Sequence, residues 1–178
     1  MAETTYLADP NDLKTLTGAS ADNPKLLLAL RRSTDRFVGG IGWDPQLKEH
    51  DNITLNGNGT QTLLLPALHI TEIDKVTANG TDVDDWQADR DAGILRREAR
   101  WPDGLGNVTV TCTHGWGTTP GDIADAVLEQ AEIQYRALAG IQTYSLGSKS
   151  IGFGASATVG VTQKWTETVQ RYSLGGRV

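Results

Sequence analysis

The stretch TVTCTHGWG, residues 109–117, holds the only cysteine of the chain, Cys112, two positions before His114. A thiol and an imidazole could act as the nucleophile and general base of a small hydrolase. On one strand, however, residues i and i+2 share a face at a spacing too wide for a dependable thiol–imidazole hydrogen bond. Cys112 also alternates with Val108 and Val110, as a small core residue does. The sequence therefore favours a packing role for Cys112, with the hydrolase as an alternative.

Other clusters that could bind ions or phosphate lack the required spacing. One cysteine and one histidine cannot build a zinc site, and His50 and His69 stand in no ligand spacing. The Asp-rich run TDVDDWQADRDAG, residues 81–93, lacks the spaced loop and terminal glutamate of a calcium site. The segment GFGASATVG, residues 152–160, lacks the Lys-Ser/Thr pair of a phosphate loop. We therefore predict no catalytic residue, no metal site and no cofactor.

Three helices are predicted from one start signal, a capping residue followed by proline. The cap supplies an oxygen to a free backbone N–H, and proline at the first helical position loses no hydrogen bond. The three starts are Asp9-Pro10, Asn23-Pro24 and Thr119-Pro120, and Gly18, Gly39 and Gly140 follow the predicted ends. The predicted helices span residues 10–17, 24–38 and 120–139. Asp122, three residues after Thr119, is expected to form a variant of the capping box, with its carboxylate near the positive end of the third helix.

A small antiparallel sheet is predicted between the second and third helices, over about residues 50–114. Asn79-Gly80 is typical of a tight hairpin turn, and a second hairpin is expected to turn at residues 91–93. In the last strand, Val108, Val110, Cys112 and His114 are expected to share one face.

Gly115 and Gly117 are then expected to let the chain turn towards the Thr119-Pro120 helix start. The pattern gives no role for His114 and Trp116 at this corner. Pro24, Cys112, Gly115, Gly117, Thr119 and Pro120 are therefore predicted as structural residues.

The composition changes after Gly140. Residues 1–140 are predicted to form one domain, and residues 141–178, rich in Gly, Ser and Thr, an extended C-terminal arm that ends in a short helix. Trp165, Val169 and Tyr172 would lie on one side of that helix. A helix this short, with no cap, is marginal alone and must order against its own chain or a neighbour.

The charge is unevenly distributed along the chain. The net charge is −6, and residues 141–178 hold four basic residues and one acidic residue, a net +3, which leaves −9 for residues 1–140. An acidic body argues against a protein that reads nucleic-acid sequence. The basic arm suits a partner of opposite sign. The longest wholly apolar run, LLLAL at residues 26–30, is too short to span a membrane.

The order of these pieces resembles a known family. The residues that carry the resemblance are YLADPNDLKTLTG, DRFVGG, NGNGTQTLLLPALHITEIDKVTANGTDV, ILRREARWPDGLGNVTVTCTHGWGTTPGDIADAVLEQA and TETVQRYSLGGRV. In this order they are similar to the head-to-tail adaptor, or connector, proteins of long-tailed bacteriophages, especially those of actinobacterial hosts. The most specific part is the WP.G..NVTVT strand that leads through THGW into a Thr-Pro helix start.

The resemblance implies an α+β fold, a helical body with a small β insertion, and a structural virion protein rather than an enzyme. It implies a ring, commonly of twelve copies, that docks under the portal protein in the virion neck after assembly in the host cytoplasm. The ring would extend the DNA channel without sequence-specific binding and carry the stopper and tail. The stopper protein of the same connector is the alternative within this class. The residues expected to bind the portal or a neighbouring subunit are Trp165, Val169, Arg171, Tyr172 and Arg177.

Overall fold

The computed structural model describes residues 6–139, 143–146, 149–152 and 160–174. The chain divides into two compact units. The helical unit comprises Met1–Ile41 and Thr119–Tyr172, and the strand-rich unit comprises Gly42–Thr118 with Ser173–Val178. Helices and small antiparallel sheets occur together, which confirms the predicted α+β class. The division into a domain of residues 1–140 and an arm of residues 141–178 stays a prediction.

The helical unit contains the predicted helices and the short helix of the arm. These are α1 (Pro10–Thr17), α2 (Pro24–Ile41), α3 (Gly121–Leu138) and α4 (Gln163–Tyr172). Two predicted caps are present: the Asp9 carboxylate accepts from the Asn11 N–H at 2.8 Å, and the Asn23 side chain accepts from the Lys25 N–H at 2.9 Å. Apolar residues of all four helices are buried in this unit, among them Leu13, Leu26, Leu30, Phe37, Ile123, Val127 and Trp165.

The predicted end of α2 was wrong. The helix does not stop before Gly39 but continues through Gly40 to Ile41. It continues because Phe37 and Ile41, one turn apart, are both buried, and that burial outweighs the low helix propensity of two glycines. The helix ends where Gly42 adopts a φ of +81°, in the left-handed region that favours glycine.

The predicted start of α3 was also wrong by one residue. Pro120, not Thr119, occupies the N-cap position, and no side chain caps the helix there. The helix begins at Gly121 and ends at Leu138, with Ala139 rather than Gly140 as its C-cap. Instead of completing a capping box, the Asp122 carboxylate accepts from the N–H of the next residue, Ile123, at 3.0 Å.

Residues 42–118 of the strand-rich unit, all of them described by the structure, contain seven strands in two antiparallel sheets where the sequence predicted one. The strands are β1 (Lys48–Gly57), β2 (Thr62–Leu64), β3 (Ile70–Ala78), β4 (Thr81–Asp82), β5 (Trp86–Asp89), β6 (Ile94–Arg97) and β7 (Gly104–His114). The first sheet has the order β1-β7-β3-β4 and the second the order β2-β6-β5. Both sheets bury side chains in one core, where Leu63 and Leu95 of the second sheet join Val110 and Cys112 of β7.

The predicted hairpin turns are both present in this unit. Asn79 and Gly80 join β3 to β4 with φ values of +51° and +76°, as a two-residue hairpin turn requires. Gly93, with a φ of +65°, ends the turn between β5 and β6, and a Cβ there would lie 2.4 Å from the Ala67 carbonyl oxygen. The predicted alternation along β7 is also confirmed, because Val108, Val110, Cys112 and His114 are all buried.

The arm contains a hairpin that the sequence analysis did not predict. Strands β8 (Thr143–Leu146) and β9 (Lys149–Gly152) pair antiparallel, with Tyr144 opposite Ile151. The alternation of Tyr144 and Leu146 with Thr143 and Ser145 was the available strand signal. In the part of the chain that the structure describes, no helix has the length and apolar character needed to cross a membrane.

Candidate assembly surfaces

The apolar residues predicted to bind a partner are packed inside the helical unit of the chain itself. Trp165 of α4 is 5% exposed, and its ring meets Phe37 of α2 edge-on, with centroids 5.3 Å apart and planes at 88°. Val169 lies against Gly40, where an added Cβ would come within 3.4 Å of a valine methyl group. The own-chain alternative for ordering this helix is therefore the one the structure shows.

A single carboxylate on α3 holds the last turn of α4. The Tyr172 hydroxyl donates to Asp122 and lies 3.0 Å from each carboxylate oxygen. The Arg171 guanidinium donates to the same group at 3.0 Å. Asp122 also stands in the first turn of α3, where the positive end of the helix dipole favours a negative charge. The sequence analysis treated Asp122 as a capping residue and missed its contacts with the arm.

Two further contacts join the arm to acidic residues of α3, in addition to those of Asp122. Lys164 pairs with Asp125 at 3.0 Å, and the Thr162 hydroxyl donates to Glu129 at 3.4 Å. Since Asp122, Asp125 and Glu129 recur at three and four residues, they lie on one face of α3. An acidic stripe at helical spacing, in a chain with a basic arm, was the signal that could have located this surface. Arg177, the remaining predicted binding residue, lies outside the described residues.

Cys112 and His114 are buried separately rather than joined as a catalytic pair. Cys112 has no exposed surface, and burial raises the pKa of its thiol to about 11, so little thiolate exists near neutral pH. The His114 Nε2 lies 3.1 Å from a carboxylate oxygen of Asp51 on β1. Within the described residues no group of three or more His, Cys, Asp or Glu side chains could hold a metal ion.

The corner after β7 is fixed by Trp116 and Gly115. The Trp116 ring stacks on His69 with centroids 4.8 Å apart and also contacts Trp43 at 5.4 Å. Its backbone N–H donates to the Pro45 carbonyl at 2.9 Å. Gly115 has a φ of +83°, and a Cβ there would lie 2.2 Å from the Gln46 carbonyl oxygen. These contacts give Trp116 a structural role that the sequence left open.

The other predicted structural residues differ in how strongly their surroundings require them. Pro24 opens α2, where its missing N–H costs nothing. At Gly117 an added Cβ would make only an ordinary contact, 3.8 Å from Leu47. The α3–α4 contacts and the corner after β7 thus consist of packing contacts, ion pairs and backbone hydrogen bonds.

Comparison with known proteins gives a match among solved structures but none among family models or curated proteins. No protein-family model matches the chain, and no curated protein matches it. The fold is similar to that of a chain in a solved structure described as the virion of a native gene transfer agent particle. The TM-score is 0.56 at 17% sequence identity, over 92% of this chain and 88% of that chain. The chain thus has a fold that also occurs in a chain of that virion particle.

Proposed function

We propose that this chain is a structural virion protein of a tailed phage or phage-like particle, and that it serves as the head-to-tail adaptor. Copies form a ring under the portal protein, which extends the DNA channel and carries the stopper and tail. The observation that supports this most is the fold shared over 92% of the chain with a virion protein chain. The resemblance in the order of the sequence elements supports it independently.

The charge distribution is consistent with a protein that surrounds DNA without binding it. Residues 1–140 carry a net charge of −9. A negatively charged channel wall repels the phosphate backbone and releases no counterions, so DNA slides through instead of adhering. The ring would then need no residue that reads a base sequence.

The arm is the proposed contact with the portal or with a neighbouring copy. Two of its four cations, Lys164 and Arg171, are paired with Asp125 and Asp122 of the same chain. The net positive charge of the arm favours a partner of opposite sign, and Arg177 and Lys149 are the two cations proposed to contact the portal. Contact with a partner through Trp165, Val169 or Tyr172 would require α4 to leave Phe37 and Asp122, in exchange for equivalent contacts on the partner.

Charge reversal in the arm tests this assignment. The Lys149→Glu/Arg177→Glu variant should no longer co-sediment with portal-containing capsids, whereas the unaltered chain should do so. The matched control is Lys14→Glu/Lys25→Glu, which makes the same charge change at exposed positions of the helical unit. Retained binding by the arm variant would overturn the role of these two cations. Failure of the unaltered chain to bind any portal-containing capsid would overturn the adaptor function.

The alternatives separate in the same assay. A stopper would join only capsids that already carry an adaptor ring, whereas an adaptor joins the portal directly. The hydrolase alternative requires an accessible thiol, and Cys112 has no exposed surface and a raised pKa. The burial of this thiol favours the structural role.

A further inference from the structure

The strand-rich unit contains an open apolar cleft of about 500 Å³, which we call the leucine cleft. Leucine and isoleucine side chains form most of its wall, among them Leu55, Leu64, Leu65, Leu68 and Ile94. Leu64 is 66% exposed, so solvent reaches this apolar surface. Scattered exposed leucines are ordinary, but apolar surface concentrated in one concave site is typical of a binding site.

The chain itself leads into the leucine cleft. Ser173 and Leu174, the last two residues that the structure describes, belong to the cleft wall. The Leu174 side chain packs against the backbone at Gly42, where an added Cβ would lie 3.6 Å from a leucine methyl carbon. Leu174 is nevertheless 37% exposed, so its contact with Gly42 leaves part of the side chain uncovered. The residues that follow Leu174 therefore start at the cleft.

Residues 175–178, which lie outside the described residues, have the sequence Gly-Gly-Arg-Val. Four residues span at most about 14 Å when fully extended, so they stay close to the cleft wall. Two successive glycines favour a tight turn, since glycine adopts positive φ without steric cost. A turn from Leu174 to Arg177 would bring its two ends within about 7 Å and return Val178 to the side of Leu174.

We propose that residues 175–178 fold back on the strand-rich unit and that the Val178 side chain occupies the leucine cleft of its own chain. A valine side chain is smaller than the cleft, so it fills only the part beside Leu174. Its burial removes apolar surface of both the valine and the cleft wall from water, and this burial drives the contact.

An occupant from the same chain has an advantage over a separate molecule. Because Leu174 already lies in the cleft wall, the three-residue connection to Val178 gives the valine an effective concentration in the millimolar range. A separate molecule must also lose translational and rotational freedom on binding. A single valine is too small to bind tightly as a free ligand, yet it can occupy the cleft when the chain delivers it there.

The contact has a consequence for Arg177, which directly precedes Val178. Successive side chains of an extended segment point to opposite sides, so Val178 in the cleft would leave Arg177 directed to solvent at the rim. This consequence rests on the proposed function only where Arg177 is assigned to the portal contact. The occupancy of the cleft does not depend on it.

Methyl NMR of the full chain tests the occupancy. The chain is ¹³C-labelled at its valine, leucine and isoleucine methyl groups, and nuclear Overhauser contacts are recorded from the Val178 methyl groups. We expect contacts to the methyl groups of Leu64 or Ile94, which are distant from Val178 in the sequence. Dilution of the labelled chain with unlabelled chain identifies their source, because contacts within one chain keep their relative intensity whereas contacts between copies lose it.

A variant of the valine supplies a second readout. Val178→Ser should raise the affinity of a hydrophobic dye, anilinonaphthalene sulfonate, for the cleft about tenfold, because the tail no longer competes for the site. The matched control is Val161→Ser, which makes the same change at a valine of the arm that is 43% exposed, and it should leave dye binding unaltered. Leu64→Ser, at an exposed position of the cleft wall, should weaken the contacts from Val178.

Absence of contacts from Val178 to Leu64 and Ile94 overturns the proposal. Contacts that weaken on dilution with unlabelled chain also overturn it, since they would assign the cleft to a second copy. Equal dye binding by Val178→Ser and the unaltered chain would show that the tail does not cover the cleft. None of these measurements involves the portal, so failure of the adaptor function leaves the contact standing, and failure of the contact leaves the function standing.

Discussion

The rings of Trp165 and Phe37 meet edge-on, with their centroids 5.3 Å apart, although the two residues are 128 positions apart in the sequence. This pair fastens the short helix α4 to α2, while Asp122, Asp125 and Glu129 of α3 hold its polar side. A helix of ten residues is marginal in isolation, so these tertiary contacts are what keep it helical.

We predict that Trp165→Ala releases α4 from the helical unit. Truncating a buried tryptophan costs about 3–5 kcal/mol, and a ten-residue helix is marginal without its tertiary contacts. Hydrogen exchange should show loss of protection at residues 163–172 while α3 stays protected. Thr166→Ala, on the exposed side of α4, is the control. Unchanged protection of α4 in Trp165→Ala would contradict this account of its stability.

We predict that Gly115→Ala destabilises the strand-rich unit and that Gly117→Ala does not. The first change places a Cβ 2.2 Å from the Gln46 carbonyl and forces a positive φ on alanine, at a cost of more than about 2 kcal/mol. The second places a Cβ at an ordinary 3.8 Å from Leu47. Urea unfolding of the two variants checks the difference, and equal midpoints would show that the corner can relax.

We predict that the Cys112 thiol of the native chain reacts with an aromatic disulfide reagent at least about a hundredfold more slowly than the unfolded chain does. The thiol has no exposed surface, and its pKa of about 11 leaves little thiolate at pH 8. Cys112→Val should therefore leave assembly with capsids intact. A fast native reaction, or loss of assembly on this substitution, would return the hydrolase or another thiol function to consideration.

We predict that His50 titrates above its ordinary pKa of 6.5. The hydrogen bond from its Nδ1 to the Asp74 carboxylate, at 3.0 Å, is the largest cause, because it favours the protonated ring. Because this pKa is raised in the folded state, the pair adds to the free energy of unfolding. The contribution is complete below about pH 6.5 and is lost as the pH rises through the pKa of the folded state. Since the His50 side chain is 70% exposed, solvent screens the pair and the effect on stability is small.

An NMR titration of the His50 ring checks this prediction. Asp74→Asn should bring the pKa back towards 6.5, whereas Asp103→Asn, beside the strand end where Gly57 pairs with Gly104, should leave it raised. A His50 pKa that does not respond to Asp74→Asn would show that the pair does not form in solution.

Local signals in the sequence were sufficient for most of the fold. Asp9, Asn23 and the prolines after them start α1 and α2, the Asn79-Gly80 pair turns a hairpin, and the alternation along β7 buries Cys112. Each of these depends on residues within a few positions, which is the range over which capping, turn geometry and strand periodicity act.

The parts that sequence reasoning missed depend on tertiary contacts. Gly39 and Gly40 fit a helix end, yet burial of Ile41 carries α2 past them. Asp122 fits a helix cap, yet it binds Arg171 and Tyr172 some 50 positions away.

The most direct test of the adaptor function is electron cryomicroscopy of the chain mixed with purified portal rings. The account predicts a second ring of protein density on the tail-facing side of the portal, with a central channel and with the helical and strand-rich units fitted in every copy. Portals that remain bare at saturating concentrations of the chain would contradict it.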